Sequence, residues 1–195
     1  FSIFCLLLFI CGLLFTKNLQ DTTSNKQIRY DFILPHDNFL LKREAVLDEI
    51  KTILNNNDIG IVALVGIGGV GKTILARDYA KEYKGNFAWE INAETKITLL
   101  ASFEQLAFSL AESFDDKQYL TNIRQISDQS EKRKKLQVFI ATHIKMYKNW
   151  LFIYDNVNDF NDIRNFFPHD PQICGKGKII ITTRDSNISN NNFIT

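Results

Sequence analysis

The sequence has few of the residues that mark several common classes of protein. It contains three cysteines among 195 residues. Cys5 and Cys11 lie in an apolar stretch and Cys174 stands alone, so neither a disulfide framework nor a CxxC metal site is indicated. Positive charge is not in excess, since 23 Lys and Arg stand against 22 Asp and Glu. We therefore expect no nucleic-acid partner, because such binding depends on a basic surface.

What the sequence does contain is enough apolar material for the core of one domain. Hydrophobic residues make up 45% of the chain, which argues against overall disorder. The composition fits a globular domain with a short appendage. No internal repeat is visible.

The first fifteen residues form an apolar segment without a charged residue. As a helix it would reach about 22 Å, which is short for a hydrocarbon core of about 30 Å. Residues 1–16 are predicted to be a hydrophobic helix that anchors the chain in a membrane or acts as a signal-like segment, although no basic region precedes it and no cleavage signal follows it. The alternatives are a mistranslated extension and a helix that packs elsewhere. In each case we expect the remainder of the chain to be cytoplasmic.

A polar linker is predicted at residues 17–38, and a globular domain at residues 39–195. Within the domain, apolar runs predict four strands, and helical spacing of apolar residues predicts helices between them. The predicted strands are residues 59–65, 87–91, 150–154 and 178–183. Strand alternating with helix predicts an α/β fold with a parallel sheet in three layers.

Two polar segments of this domain carry separate predictions. Residues 115–128 are predicted to form a surface loop. The charged run at residues 131–135 lies on a predicted helix and is interpreted as a solvated face, with a phosphate-binding or partner-binding patch as the alternative.

A glycine-rich stretch, Gly-Ile-Gly-Gly-Val-Gly-Lys-Thr at residues 66–73, directly follows the first of these strands. It satisfies G-x-x-x-x-G-K-[ST] between an apolar strand and an amphipathic helix, the context in which this pattern binds phosphate. Glycines let the loop bend so that backbone N–H groups point at one centre, which the positive end of the next helix also faces. A P-loop NTPase fold is therefore predicted. The alternative is a tight strand-to-helix turn with an exposed lysine.

The residues of this stretch are assigned separate roles. Lys72 is predicted to bridge the β- and γ-phosphates, and the Thr73 hydroxyl to bind Mg²⁺. The residues of this stretch and of the helix start that are predicted to contact nucleotide are Gly66, Gly68, Gly69, Val70, Gly71, Lys72, Thr73 and Ile74.

A second site residue follows the apolar run at residues 151–154. Asp155 lies where the carboxyl end of a strand is expected, the edge at which parallel sheets bind ligands. It is predicted to bind Mg²⁺ directly or through water, with a loop acid or helix cap as the alternative. The next residue is Asn156, whose amide orients water but accepts no proton. The predicted catalytic residues are thus Lys72, Asp155 and Asn156, and hydrolysis is expected to be slow or to need another group.

The last predicted strand ends in Thr-Thr-Arg-Asp at residues 182–185. Arg184, at the tip of a strand beside that of Asp155, is predicted to contact the γ-phosphate, because its planar guanidinium suits phosphate oxygens. The alternative is a surface arginine that forms a salt bridge with Asp185.

Four stretches in this order resemble the NB-ARC domain, the nucleotide-binding switch of apoptotic ATPases, plant resistance proteins and related bacterial ATPases. They are residues 66–73, Phe87-Ala88-Trp89, residues 151–157 and Gly177 to Arg184. The resemblance covers about residues 39–186. It implies an ATP/ADP-controlled switch that binds adenine nucleotide and signals through protein partners or self-association in a longer protein. It also assigns γ-phosphate sensing to Arg184.

The resemblance also shows where this sequence departs from the family. Arg43 falls in the motif that contributes to the adenine pocket, here Leu-Leu-Lys-Arg-Glu at residues 40–44, with Lys42 where Gly is usual. Asn156 replaces the second acid of the family's pair. The chain ends at Thr195, before the family's fifth strand, so we expect residues 61–65 to form an apolar sheet edge and this chain alone to bind nucleotide weakly or dissolve poorly.

Three functions follow from these observations. The first is an ADP- and ATP-binding regulatory switch with slow, Mg²⁺-dependent hydrolysis. The second is a P-loop ATPase that hydrolyses ATP steadily. The third is an inactive gene fragment that retains the fold, suggested by the missing initial Met and the early end. Adenine is preferred to guanine because of the resemblance, and no Asn-Lys-x-Asp motif for guanine is present.

Overall fold

A five-stranded parallel sheet forms the centre of the protein in the computed structural model, which describes residues 28–29, 32–34 and 43–188. The strands are β1 (Ile28–Arg29), β2 (Ile59–Val65), β3 (Phe87–Asn92), β4 (Trp150–Val157) and β5 (Gly177–Thr183). Their spatial order is β1-β3-β4-β5-β2, and every neighbouring pair is parallel.

Helices connect the strands, as parallel pairing requires. The helices of the described residues are α1 (Glu44–Leu54), α2 (Lys72–Glu82), α3 (Lys96–Leu110), α4 (Phe114–Arg124), α5 (Gln129–Ile144), α6 (Phe160–Arg164) and α7 (Pro171–Cys174). Helices α1 and α2 cover one face of the sheet, and the core on the other face is built mainly from α3, α4 and α5.

The central strand β4 shows why the fold has three layers. Its side chains alternate between the faces, so Leu151 and Ile153 pack with α1 and α2, whereas Phe152 and Tyr154 pack in the second core. All four are at most 1% exposed. A strand that is buried on both faces needs a continuous apolar sequence, which is the pattern seen here. The predicted three-layer parallel α/β fold is confirmed.

Strand β2 lies at one end of the sheet and, among the described residues, pairs only with β5. Ile61 and Ala63 are half-buried, and Val65 is 44% exposed. The apolar sheet edge expected at these residues is therefore present in the described part of the chain. This edge leads directly into the glycine-rich loop.

The prediction of a surface loop at residues 115–128 is wrong, because most of these residues belong to α4. The Ser113 hydroxyl accepts from the Asp116 amide (3.0 Å), and the Asp116 carboxylate accepts from the Ser113 amide (3.1 Å). Hydrogen bonds to the Asp116 carboxylate, first from the Ser113 backbone N–H and then from the Ser113 side chain, lower the pKa of Asp116. Leu120 and Ile123, three residues apart, are almost fully buried. A capping box and two core contacts thus stabilise a helix in a polar sequence.

Part of the predicted linker belongs to the folded domain. Strand β1 pairs with β3, and Phe32 is 7% exposed in the core beside α1 and α2. The Arg77 guanidinium donates to the Ile33 carbonyl (3.2 Å). A two-residue strand and one aromatic side chain are too short to show a period, and for this reason the sequence pattern did not predict them.

The charged run at residues 131–135 is only partly a solvated face. Glu131 and Lys135 form an exposed pair at 2.9 Å. In contrast, Lys132 is 9% exposed, and its ammonium lies 2.5 Å from the carboxylate of Glu104 on α3. The interpretation as a solvated face is therefore wrong for Lys132, whose charge joins α5 to α3.

The predicted hydrophobic segment, residues 1–16, lies outside the described residues. A membrane-spanning helix would have to be longer or more apolar than any helix that the structure describes. Cys174 is described; it is a buried free thiol, and burial raises its pKa.

Candidate functional site

The glycine-rich loop joins the end of β2 to the start of α2. The Gly66 amide still belongs to the sheet, since it donates to the Thr183 carbonyl at 3.3 Å. Gly69 and Gly71 have φ values of +77° and +91°. Side chains with a Cβ rarely adopt this left-handed conformation, so glycine at both positions permits the bend. Helix α2 then begins at Lys72.

The backbone amides of this loop are available for a ligand. Within the described residues, the N–H groups of residues 67–74 donate to no protein acceptor. Gly68, Gly69 and Val70 are exposed. Unpaired amides at the beginning of an eleven-residue helix attract anions, because they carry the positive end of the helix dipole.

Lys72 folds back over the loop that precedes it. Its ammonium donates to the carbonyl of Gly66 (2.7 Å) and to that of Ile67 (2.9 Å). The lysine is therefore not the exposed side chain of a simple turn. Its charge lies beside the amides, where a polyphosphate would add to or replace these two contacts.

Thr73 and Asp155 lie together, as predicted from the motif and the strand end. The Thr73 hydroxyl donates to Oδ1 of Asp155 at 2.7 Å. A second hydroxyl, that of Thr182 on β5, donates to the same oxygen at 2.6 Å. Asp155 is 8% exposed and Thr182 is fully buried. The site thus contains one buried carboxylate held by two hydroxyl groups from two other elements.

The backbone departs from regular pairing beside this carboxylate. The β4 to β5 register shifts between Tyr154 and Val157. Asn156 has a φ of +59°, and its amide donates to the Thr182 hydroxyl at 2.9 Å. Asparagine tolerates the left-handed conformation better than most residues, which gives a structural reason for Asn156 besides the chemical one. Its side chain is exposed.

The oxygen donors suit Mg²⁺, the metal predicted for this site. Mg²⁺ prefers oxygen ligands, keeps several waters and commonly uses one or two protein groups plus substrate phosphates. Thr73 and Asp155 supply a hydroxyl and a carboxylate beside the loop amides. In the described part of the chain no group of three or more His, Cys, Asp and Glu side chains is placed to hold a metal. The two oxygen donors fit a metal whose other ligands are waters and phosphate oxygens.

Two arginines complete the surroundings of the loop. A Cβ built on Gly68 would lie 3.6 Å from Cζ of Arg184, so this guanidinium packs on the loop. No ion pair joins Arg184 to Asp185 in the part of the chain that the structure describes. The Arg43 guanidinium donates to the Val70 carbonyl at 2.8 Å. Three cations, from Lys72, Arg43 and Arg184, thus surround the exposed amides.

Two other predicted contact residues, Val70 and Ile74, have exposed side chains. Val70 is 40% exposed and Ile74 is 36% exposed. Lys42, the residue that departs from the family's adenine motif, lies outside the described residues. The structure therefore brings together the loop, Arg43, Asp155 and Arg184, while the adenine contact stays a prediction.

Two polar interactions of the described residues were not predicted from the sequence, and the first of them belongs to the site. One is the Thr182 hydroxyl, although residues 182–185 were singled out for Arg184. The other is a bidentate pair in which Arg77 on α2 donates to both carboxylate oxygens of Glu90 on β3, at 2.6 and 2.7 Å. The sequence carries one signal for these interactions: Thr182, Arg77 and Glu90 each lie in a helix or strand that also contains buried apolar residues.

Comparison with known proteins agrees with this geometry. The model of the NB-ARC domain family matches residues 43–194. The disease resistance-like protein DSC1 of Arabidopsis thaliana is 26% identical over 168 residues, a match that covers 74% of this chain and 12% of that protein. The chain thus spans about an eighth of the length of this relative. Because the family match covers most of the chain and includes the loop, Asp155 and Arg184, the chain belongs to the NB-ARC domain family.

Proposed function

We propose that the chain is an ADP- and ATP-binding regulatory switch domain that hydrolyses ATP slowly. The observation that carries this proposal is the cluster in which the loop amides, the Lys72 ammonium, the Thr73 hydroxyl and the Asp155 carboxylate meet at the end of β2. These groups supply what a nucleoside polyphosphate with Mg²⁺ needs: unpaired donors, a cation and oxygen ligands.

Each group has a defined part in the proposed binding. The amides of residues 67–74 donate to phosphate oxygens, and the Lys72 ammonium exchanges its carbonyl acceptors for phosphate. Thr73 and Asp155 hold Mg²⁺, which neutralises phosphate charge when bound. The preference for adenine is supported by membership of the family and by the absence of an Asn-Lys-x-Asp motif from the sequence.

Asn156 supports slow hydrolysis. A carboxylate at this position would take a proton from attacking water, whereas an amide only orients it. The backbone N–H of Asn156 also donates a hydrogen bond to the Thr182 hydroxyl. A steady-state rate well below about 1 per second would agree with a switch, and a faster rate would favour the active ATPase. An inactive fragment would show no binding.

The signalling role is proposed from the relative and extends beyond this chain. The similar plant protein is named disease resistance-like, and the chain spans 12% of it. We propose that nucleotide state is transmitted through other domains to protein partners or to further copies of the same protein. The proposed compartment is the cytoplasm, with residues 1–16 as an anchor if they enter a membrane.

Calorimetric titration of the chain with ADP, ATP and GTP, with and without Mg²⁺, tests the proposed function. We expect saturable binding of both adenine nucleotides, strengthened by Mg²⁺, and weaker binding of GTP. No binding of any nucleotide would contradict the proposal, and preference for GTP would contradict its adenine specificity.

Replacing Arg184 by Ala is expected to lower the affinity for ATP about tenfold, which equals about 1.4 kcal/mol, while the affinity for ADP stays the same. The reason is that the proposed contact is to the γ-phosphate, which only ATP carries. Titration of the variant with each nucleotide measures this difference. Arg164→Ala, at an exposed arginine on α6, is the matched control. Equal loss for ADP and ATP would count against γ-phosphate sensing.

A further inference from the structure

The buried hydroxyl of Thr182 bridges β4 and β5 beside the proposed magnesium ligand. It accepts a hydrogen bond from the Asn156 amide at 2.9 Å and lies 2.6 Å from Oδ1 of Asp155. A backbone N–H is only a donor, so the single hydroxyl proton of Thr182 goes to the carboxylate. The direction of both hydrogen bonds is thereby fixed.

We propose that Thr182 is a positioning residue for Mg²⁺, acting through Asp155 without touching the metal. This inference rests on the proposed function of the site. With Thr73, the Thr182 hydroxyl places two donors on Oδ1. A carboxylate has two oxygens, so its other oxygen is the one left to bind the metal or a metal-bound water.

The surrounding backbone supports this role. The register shift in β4 and the positive φ of Asn156 turn the Asn156 amide to the Thr182 hydroxyl. A buried hydroxyl that receives one hydrogen bond and gives another has little freedom to rotate, so it holds the carboxylate in one orientation. Outer groups that orient a metal ligand in this way typically change metal affinity 10- to 100-fold when they are removed.

The neighbouring Thr183 provides a matched comparison on the same strand. It is 1% exposed, and its hydroxyl donates to the Val157 carbonyl at 2.6 Å and accepts from the Asp185 amide at 2.9 Å. Thr182 and Thr183 are therefore both buried threonines of β5, and the hydroxyl of each makes two hydrogen bonds. Only Thr182 contacts Asp155.

The test is the gain in ADP affinity caused by Mg²⁺, measured by calorimetry on the full chain as the ratio of dissociation constants in EDTA and in Mg²⁺. Thr182→Val is expected to reduce this gain about tenfold without changing the affinity in EDTA. Thr182→Ser, which keeps the hydroxyl, should retain the gain. Thr183→Val should retain it too, even where thermal unfolding shows lost stability. Should Thr182→Val not fold, Thr182→Ala gives the same comparison.

Each of these measurements either supports or overturns the proposed role of Thr182. An unchanged gain in Thr182→Val, an equal loss in Thr183→Val, or a loss in Thr182→Ser would overturn the role of Thr182. ADP binding by the unaltered chain that depends on Lys72 but gains nothing from Mg²⁺ would overturn it while leaving nucleotide binding intact. If the unaltered chain binds no ADP, the proposed function fails first and this inference fails with it.

Discussion

Replacing Lys72 by Ala is expected to lower the affinity for both ADP and ATP about a hundredfold. The Lys72 ammonium lies at 2.7 Å and 2.9 Å from two loop carbonyls, so it is already beside the unpaired amides that would hold phosphate. A hydrogen bond to a charged group contributes about 1.5 to 3 kcal/mol. A hundredfold loss equals about 2.7 kcal/mol, within reach of one such contact to a phosphate oxygen.

The measurement is a calorimetric titration of the variant and the unaltered chain with each nucleotide. Lys81→Ala is the control, since Lys81 is exposed at the other end of the same helix. Circular dichroism establishes that the variant remains folded. Nucleotide affinity that is the same in Lys72→Ala and in the unaltered chain would rule out the loop as the phosphate site.

The parts of the site that the sequence predicts are those fixed by short, contiguous patterns. The loop at residues 66–73 follows from glycine spacing, because a bend with two left-handed residues requires glycine there. Asp155 follows from an apolar run that ends in a carboxylate, and the parallel order of the sheet brings that end to the loop. Local pattern and topology together therefore predict the contact between Thr73 and Asp155.

Contacts between distant polar residues are not predictable in this way. Thr182 lies 27 residues from Asp155, and any threonine in an apolar strand has the same local signal. Lys132 looked like part of an exposed charged run, but its partner Glu104 lies on another helix. Which long-range partner a polar side chain finds depends on the packing of the helices, which the alternation of apolar residues does not specify.

Helix α4 shows a different limit. Residues 114–124 have only two positions, Leu120 and Ile123, that are almost fully buried, so their apolar period is weak. The capping box between Ser113 and Asp116 was visible as a Ser-x-x-Asp pattern. This pattern predicts the helix better than the apolar period does, because the cap satisfies backbone groups irrespective of burial.

Replacing Glu90 by Ala is expected to lower the free energy of unfolding by about 2 kcal/mol, between the values for an exposed and for a fully buried ion pair, because this pair is part-buried. Glu90 is 9% exposed, and both of its oxygens accept from the Arg77 guanidinium at 2.6 and 2.7 Å. Removing the carboxylate takes this partner away from the Arg77 guanidinium, whose side chain is only 26% exposed. Urea unfolding measures the change. Glu94→Ala, at an exposed carboxylate just beyond the same strand, is the control and should change stability little.

The double replacement Arg77→Met with Glu90→Leu distinguishes two causes of that loss of stability. One is the guanidinium left behind without Glu90, and the other is the lost attraction within the pair. If the cost in Glu90→Ala comes from the guanidinium that has lost its contact with Glu90, removing both charges should restore much of the stability, because apolar side chains of similar volume often replace a buried pair at little cost. If the double variant is at least as unstable as Glu90→Ala, the pair itself stabilises the fold. In that case the hydrogen bond from Arg77 to the Ile33 carbonyl is the next contact to examine, since it ties the segment before α1 to the helix that carries Lys72.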